Sequence, residues 1–322
     1  MIKKRVSMKD IASELDITVD AVSKALRDSN RISTKTKELV KQKALELGYF
    51  KNNFATNLKN SSSNYVAVYI NSFVNPFFAI VADRIFRELK KFNYIGILCF
   101  VDSHLLTKSN IDPVFTNSCC SVISLVEPSL EAISILKKSH IPIYVFGVKI
   151  KNDYVNYIVS DDYKGGELVA KNFLKLHKNK AMYFTDSFSE TSDSRRDGFI
   201  NILRKNEIYC TVLQTSPGEN VSKQIIENIV NDNIDYIFCM SDYLAIKLRK
   251  WILNFDLELF KKVIIVGYDS LYMWNDIFDH IPSIYYDINE ISKRLITKMD
   301  DDLKGNDFSE RLKDKFPIKF CE

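Results

Sequence analysis

The residues most suited to binding a partner are the basic side chains near the N-terminus. Residues 1–61 hold thirteen Lys and Arg against seven Asp and Glu, a net charge of +6, while the other residues carry a net charge of −2. Positive charge concentrated in one short segment favours a polyanionic partner such as DNA. A solvated face that is basic by chance is the alternative that charge alone leaves open.

Catalytic and metal-binding patterns are missing from the 322 residues. The sequence has no glycine-rich phosphate loop, no zinc-protease motif and no hydrolase nucleophile elbow. Four His are spread along the chain, which offers no evident nucleophile–base pair. The adjacent acids Asp161–Asp162 and Asp300–Asp302 read as solvated surface rather than as a metal site. We therefore expect no enzymatic activity, no cofactor and no metal.

Cysteine usage and hydropathy indicate a cytoplasmic protein with no membrane association. The six Cys form no C-x-x-C pair, so buried free thiols in a reducing compartment are expected. The longest apolar runs fall far short of the ~20 residues that a membrane span needs. The basic start of the chain has no apolar segment behind it and does not read as a secretory signal.

Residues 6–48 predict three short helices. Ser7 precedes the first and Thr18 precedes the second, which runs over Val19–Arg27. The third starts at Ser33 or Thr34, and Gly48 ends it. Its predicted inner face consists of Leu39, Val40, Ala44, Leu45 and Leu47. Two helices with a short turn and a supporting third helix make a helix-turn-helix plan.

The rest of the chain predicts a linker and an α/β domain. Residues 51–64 are rich in Asn, Ser and Lys and hold one marginal helix near 53–59. From residue 65 onward, continuous apolar runs typical of parallel strands alternate with amphipathic helices. We expect an α/β fold: a helix-turn-helix headpiece (1–50), a hinge helix and linker (51–64), and two parallel-sheet subdomains (65–322). A cleft at the carboxyl ends of the strands would bind a small ligand.

Several ordered motifs resemble the lactose-repressor (LacI/GalR) family of bacterial transcription factors. The likeness is strongest over residues 8–58 and continues along the chain. Its motifs are Met8–Ala12, Asp20–Leu26, Ile32–Tyr49, Asn52/Ala55/Leu58, Asn75–Phe78, Asp161–Gly165, Arg195–Phe199, Ser241–Ala245 and Gly267–Asp269. The resemblance implies a DNA-binding headpiece followed by a periplasmic-binding-protein-like effector domain, in a homodimer.

By this resemblance, the second helix reads bases in the major groove. The implied DNA-binding residues are Val19, Asp20, Ser23, Lys24, Arg27, Asn52, Ala55 and Leu58. Lys24 could donate to guanine or only to a phosphate, and Val19 could touch a thymine methyl or belong to the helical core. Leu58 would wedge into the minor groove once DNA orders the hinge helix, or else pack on its own domain.

The same resemblance implies an effector cleft. Its candidate residues are Phe77, Arg195, Ser241, Asp242 and Asp269. Three of them have a plainer alternative: core packing for Phe77, a surface ion pair for Arg195, and a loop cap for Asp269. Phe146–Val148 stands where the family often has an Asp-Arg pair, which points either to an atypical ligand or to a poor response to any ligand.

Together these observations predict an effector-controlled transcription regulator, most simply a repressor. Its expected partners are a pseudo-palindromic operator, a second copy of the chain, and a sugar or sugar phosphate. A sugar-binding protein of the same fold without regulatory DNA binding is the alternative. An enzyme of that fold is a further alternative, and the missing catalytic motifs argue against it.

Overall fold

The computed structural model describes residues 6–50, 63–186, 189–215, 222–305 and 311–322. The chain divides into two compact units, Met1–Ser62 and Ser63–Glu322. Most of the predicted linker, including the hinge helix, lies outside the described residues, so that helix stays a prediction.

Residues 6–50 of the first unit form three helices, and each begins after the capping residue that the sequence indicates. They are α1 (Met8–Leu15), α2 (Val19–Leu26) and α3 (Thr34–Leu47). The backbone N–H of Ser7 donates to Asp10 at 2.7 Å. The hydroxyl oxygens of Thr18 and Ser33 accept backbone N–H groups of α2 and α3 at 3.1 and 3.2 Å. These bonds satisfy amides that the first turn of a helix leaves without a partner.

The core of this unit is small, and two of its predicted members are exposed. Its fully buried members are Ile11, Ala12, Val22, Ala25, Val40 and Ala44. Leu39 is 50% exposed and Leu45 is 82% exposed, so placing them on the inner face of α3 was wrong. Val40, Ala44 and Leu47 are spaced by four and three residues and share one helix face, from which Leu39 and Leu45 are turned away.

The described part of the second unit is built on two large parallel sheets, as the alternation of strands and helices predicts, with two small two-stranded sheets beside them. The first sheet has strand order β13-β7-β6-β4-β1-β2 and the second has order β11-β10-β8-β9, with parallel pairing throughout both. The strands are β1 (Tyr65–Ile70), β2 (Ile95–Phe100), β3 (Leu105–Leu106), β4 (Ser121–Ser124), β5 (Glu127–Pro128), β6 (Ile143–Phe146), β7 (Asn156–Ser160), β8 (Ala181–Thr185), β9 (Cys210–Gln214), β10 (Tyr236–Cys239), β11 (Ile264–Val266), β12 (Ser283–Tyr285), β13 (Lys313–Phe316) and β14 (Lys319–Cys321).

Helices connect these strands. They are α4 (Pro76–Lys91), α5 (Asp112–Thr116), α6 (Leu130–Lys138), α7 (Asp162–Lys175), α8 (Glu190–Lys205), α9 (Ser222–Asn231), α10 (Asp242–Phe255), α11 (Leu257–Lys262) and α12 (Ile288–Leu303). The chain crosses from the first sheet to the second after β7. It returns through α12 and adds β13 to the edge of the first sheet. The carboxyl ends of β7, β10 and β11 are followed by the polar residues of the candidate cleft.

Two glycines allow α7 and α8 to touch through their backbones. A Cβ on Gly166 would lie 2.1 Å from the carbonyl oxygen of Arg195, and one on Gly198 would lie 2.0 Å from that of Tyr163. Only glycine permits such an approach. This packing brings the start of α7, with Asp162, next to Arg195 in α8.

The acidic residues near the end of α12 are not all solvated. Asp300 is 5% exposed and Asp302 is fully buried, so the prediction of a solvated acidic surface was wrong for both. The hydroxyl of Tyr94 donates to Asp300 at 3.1 Å and that of Tyr144 donates to Asp302 at 2.5 Å. Both acids also pair with lysines of the same helix or its end. These contacts satisfy carboxylates that would be costly to bury alone.

Within the described ranges, the six thiols are free, and four of them are buried. No helix in that part of the chain has the length and hydropathy of a membrane span. The same residues contain no group of His, Cys, Asp and Glu arranged to hold a metal ion.

Candidate DNA-binding surface and effector cleft

The N-terminal turn of α2 presents a polar and apolar surface to solvent. Val19 is 39% exposed and does not belong to the core of the first unit, so the alternative of a buried Val19 was wrong. Asp20, one residue further along, is also exposed. An exposed apolar side chain such as Val19 suits contact with a thymine methyl group. A neighbouring acceptor such as Asp20 suits contact with a cytosine amino group.

Ion pairs and hydrogen bonds along α2 order its longer side chains. Lys24 Nζ lies 2.6 Å from Asp20 Oδ2, one helical turn away. Arg27 donates from Nη2 to the hydroxyl of Ser23 at 2.7 Å and from Nε to its carbonyl oxygen at 3.2 Å. Contact of Lys24 with a base or a phosphate stays a prediction, and it would require Lys24 to leave Asp20. Asn52, Ala55 and Leu58 lie outside the described residues, and their roles stay predictions.

Arg195 is the centre of a buried polar cluster in the second unit. Its residue exposure is 6%, which makes the alternative of a surface ion pair wrong. Nε donates to Asp162 Oδ1 at 2.9 Å and Nη1 donates to the carbonyl oxygen of Met240 at 2.5 Å. The guanidinium carbon lies 3.5 Å from the ring centroid of Tyr268. These contacts fix the guanidinium plane, which is the geometry that directional recognition of hydroxyls requires.

Asp269 completes the cluster. It is 5% exposed, its Oδ1 accepts the hydroxyl of Tyr286 at 2.8 Å, and that oxygen lies 3.9 Å from Arg195 Nη2. Burial raises the pKa of Asp269 to about 6, because the charge of Arg195 and the Tyr286 hydrogen bond only partly offset the loss of hydration, and Asp162 raises it further. One guanidinium therefore faces two carboxylates, and the cluster has no surplus of positive charge.

Ser241 and Asp242 are occupied by contacts within the fold. Ser241 is the N-cap of α10, and its hydroxyl oxygen accepts from the N–H of Leu244 at 3.3 Å. Asp242 is 2% exposed, and each of its carboxylate oxygens accepts one hydrogen bond from a buried neighbour. Burial raises its pKa well above the usual range, and the charge of Asp269 adds to that rise. Effector contact by these two residues stays a prediction.

Phe77 follows the N-cap of α4 and is partly buried. Its ring centroid lies 5.4 Å from that of Phe78 and 6.2 Å from that of Phe146, which ends β6. The Asn75 side chain accepts the N–H of Phe77 at 3.1 Å and fixes this turn. An aromatic face between these neighbours suits a cleft wall and core packing equally.

Sequence reasoning missed four contributors to the cluster: Asp162, Tyr268, Tyr286 and the carbonyl oxygen of Met240. Asp162 was assigned to a solvated turn, whereas its side chain is 11% exposed and paired with Arg195. The sequence contains a signal for two of them, because Asp162 and Tyr268 each lie two residues after the end of a predicted or observed strand, β7 and β11. Tyr286 gave no such signal, since β12 was not predicted.

Comparisons with known proteins agree with these features. Residues 7–52 match the sequence family described as "Bacterial regulatory proteins, lacI family". A sucrose operon repressor of Pediococcus pentosaceus is 23% identical over 328 aligned residues that cover 98% of each chain. A ribose operon repressor of Halalkalibacterium halodurans is 21% identical, covering 91% of this chain and 89% of its own.

Solved structures show the same fold. The Lac repressor dimer bound to operator and the anti-inducer ONPF superposes with a TM-score of 0.78 at 17% identity, covering 99% of this chain and 98% of its own. A LacI family regulator from Enterococcus faecium with bound ribose superposes with a TM-score of 0.70 at 22% identity, covering 80% of this chain and 97% of its own. The predicted family resemblance and the predicted fold, headpiece plus periplasmic-binding-protein-like domain, are confirmed. The matched family and these relatives are described as regulatory proteins and operon repressors, which agrees with the prediction of a regulator.

Proposed function

We propose that this chain, a LacI-family transcription regulator, is a repressor that binds a pseudo-palindromic operator as a homodimer in the cytoplasm. The observation that carries the proposal is the headpiece itself. It matches the family sequence over residues 7–52 and holds the reading turn of α2 exposed on a capped three-helix core. Repression rather than activation rests on the printed names of relatives such as the sucrose operon repressor.

The effector we propose is an uncharged sugar. Arg195 and Asp269 offer a donor and an acceptor to neighbouring hydroxyls, and the partly buried Phe77 offers an aromatic face. A phosphate would meet Asp162 and Asp269 beside the single guanidinium, which disfavours a sugar phosphate. Sucrose and ribose are the first probes, because they occur in the names of similar repressors and of one similar structure.

The dimer surface we propose is the free edge of the first sheet. Strand β2 ends that sheet and exposes 43% of Ile95, 43% of Leu98 and 51% of Phe100. Phe73, 61% exposed, stacks on Phe100 with ring centroids 5.2 Å apart. An apolar edge strand in water invites pairing with another chain. A second copy is the occupant that a two-fold operator requires.

The reading surface of α2 is tested by Lys24→Ala. We expect this change to weaken binding to a duplex from the chain's own upstream DNA by about 1–3 kcal/mol, because a lysine–base contact is lost. The loss of affinity for a duplex of scrambled sequence should be smaller. Fluorescence anisotropy with both duplexes measures the difference.

Lys43→Ala is the matched control for Lys24→Ala. Lys43 lies on α3 in the same unit and pairs with Glu46 at 2.8 Å, so its removal should change neither affinity by more than about twofold. Equal weakening of Lys24→Ala on both duplexes would assign Lys24 to a phosphate contact. No loss on either duplex would contradict the proposed reading surface.

A further inference from the structure

The backbone turns sharply directly after β11, in a conformation that its residues do not favour. Asp269 has φ of 107° and Ser270 has φ of 48°. Neither residue is glycine, and L side chains rarely adopt positive φ. Such a turn persists only where its surroundings hold it, so the groups that bond to it determine where the Asp269 carboxylate lies.

A buried carboxylate of α10 supplies those bonds. Asp242 Oδ2 accepts the N–H of Leu271 at 2.7 Å, and Oδ1 accepts the hydroxyl of Ser283 at 2.6 Å. The Ser283 oxygen in turn accepts the N–H of Ser270 at 3.1 Å. The N–H of Asp242 donates to the carbonyl oxygen of Tyr268 at 2.7 Å. Tyr268, Ser270 and Leu271 are therefore each bonded to Asp242 or to Ser283, on both sides of Asp269.

The local packing encloses the Asp242 carboxylate. A Cβ on Gly267 would lie 2.0 Å from Asp242 Oδ1, so glycine is needed there for the carboxylate to fit against the backbone that follows β11. Asp242 is 2% exposed and Ser283 is fully buried. A group enclosed in this way acts on the cleft only through the turn that it holds.

The other side of the turn belongs to the effector cluster. Asp269 accepts from Tyr286 and faces Arg195 at 3.9 Å. The N–H of Asp269 donates to the carbonyl oxygen of Ile284 at 2.9 Å, in the same strand as Ser283. Two neighbouring residues of β12 therefore connect the acids: Ser283 bonds to Asp242, and Ile284 bonds to Asp269. The turn itself forms the second connection between them.

We propose that Asp242, with Ser283, is a positioning residue: it holds the Asp269–Ser270 turn and thereby places the Asp269 carboxylate beside Arg195, without touching the effector. The role in effector binding rests on the proposed function. The role in holding the turn does not, and it is measured without any ligand.

Hydrogen exchange of the full-length chain, read at the Leu271 amide, tests the turn. Asp242→Ala removes the acceptor, and we expect at least about tenfold faster exchange there. Asp242→Asn keeps an oxygen for Leu271 and offers an amide N–H to Ser283, so it should stay within about threefold of the parent chain. Ser241→Ala is the matched control: the neighbouring hydroxyl caps only α10, and its loss should leave exchange at Leu271 unchanged.

A second readout connects the turn to the effector. The probe is sucrose or ribose, whichever releases the operator duplex from the parent chain. The sugar concentration that releases half of the bound duplex should rise at least about tenfold in Asp242→Ala and little in Asp242→Asn. Operator affinity without sugar should be unchanged in both, because neither change lies in the headpiece. If the parent chain itself does not bind the operator duplex, that result contradicts the proposed function instead.

Unchanged exchange at Leu271 in Asp242→Ala would overturn the inference, as would equal damage from Asp242→Asn and Asp242→Ala. If Asp242→Ala does not fold, Ser283→Ala takes its place, since it removes the bond to Ser270 while Asp242 Oδ2 keeps its bond from Leu271. Faster exchange at Ser270 is then expected, and unchanged exchange there contradicts the role of the network.

Discussion

Arg195→Met is expected to destabilise the second unit by about 3–5 kcal/mol, because it leaves the buried carboxylate of Asp162 without its ionic partner. Methionine retains much of the apolar stem, so the lost charge rather than a cavity dominates the effect. Asp162 is 11% exposed and can recover little hydration. The midpoint of urea unfolding, followed by tryptophan fluorescence, measures this change, since Trp251 and Trp274 both lie in the second unit.

The adjacent residue supplies the control. Arg196 lies on the same helix and pairs with Asp193 at 2.7 Å and Asp197 at 2.9 Å, but those carboxylates are half exposed. Arg196→Met should therefore cost less than about 1 kcal/mol. Adding Asp162→Asn to Arg195→Met should restore part of the loss, because the unpaired charge is removed. Equal costs for the two arginines would contradict the buried cluster described above.

Leu98→Glu is expected to convert the homodimer to a monomer and to weaken operator binding by about 10²–10⁴-fold. The substitution places two charges in the apolar edge-to-edge contact, where they cannot be hydrated. A monomer holds one headpiece on one half-site and loses the gain from bivalent binding. Light scattering with size exclusion measures the first effect, and anisotropy with a full palindromic duplex measures the second.

Val212→Glu is the matched control for Leu98→Glu. Val212 lies on β9, the edge strand of the second sheet, and is exposed to the same 43% as Leu98. It should leave both the mass and the operator affinity unchanged. A dimer that survives Leu98→Glu, or a monomer produced by Val212→Glu, would contradict the placement of the dimer surface on β2.

Local sequence signals accounted for most of the headpiece. Caps such as Thr18 and Ser33 act on amides three residues away, so a short window of sequence contains both partners. Asp16 adopts the left-handed conformation, φ 50°, as the C-cap of α1. The misplaced leucines of α3 show the limit, because apolar type alone does not fix the angle at which a residue leaves a helix.

The effector cluster depends on contacts that a local pattern does not contain. Arg195 meets Asp162 across 33 residues and Met240 across 45, and both meetings follow from the backbone contact between α7 and α8 and from the order of the strands. The C-terminal strand β13 was missed because its sequence, Lys313–Phe316, is dominated by charges that suit an edge position. Asp300 and Asp302 are buried where α12 packs against α4, next to Tyr94 and Tyr144.

The most direct test of effector-controlled operator binding is one anisotropy titration of the full chain against a duplex from its own upstream DNA, over a range of salt, with and without saturating sucrose or ribose. We expect a sequence-specific complex whose affinity falls linearly with salt on logarithmic axes, as phosphate neutralisation requires. An effective sugar should change that affinity by about 5–150-fold. Equal affinity for a scrambled duplex at every salt concentration, with no response to either sugar, would contradict the account.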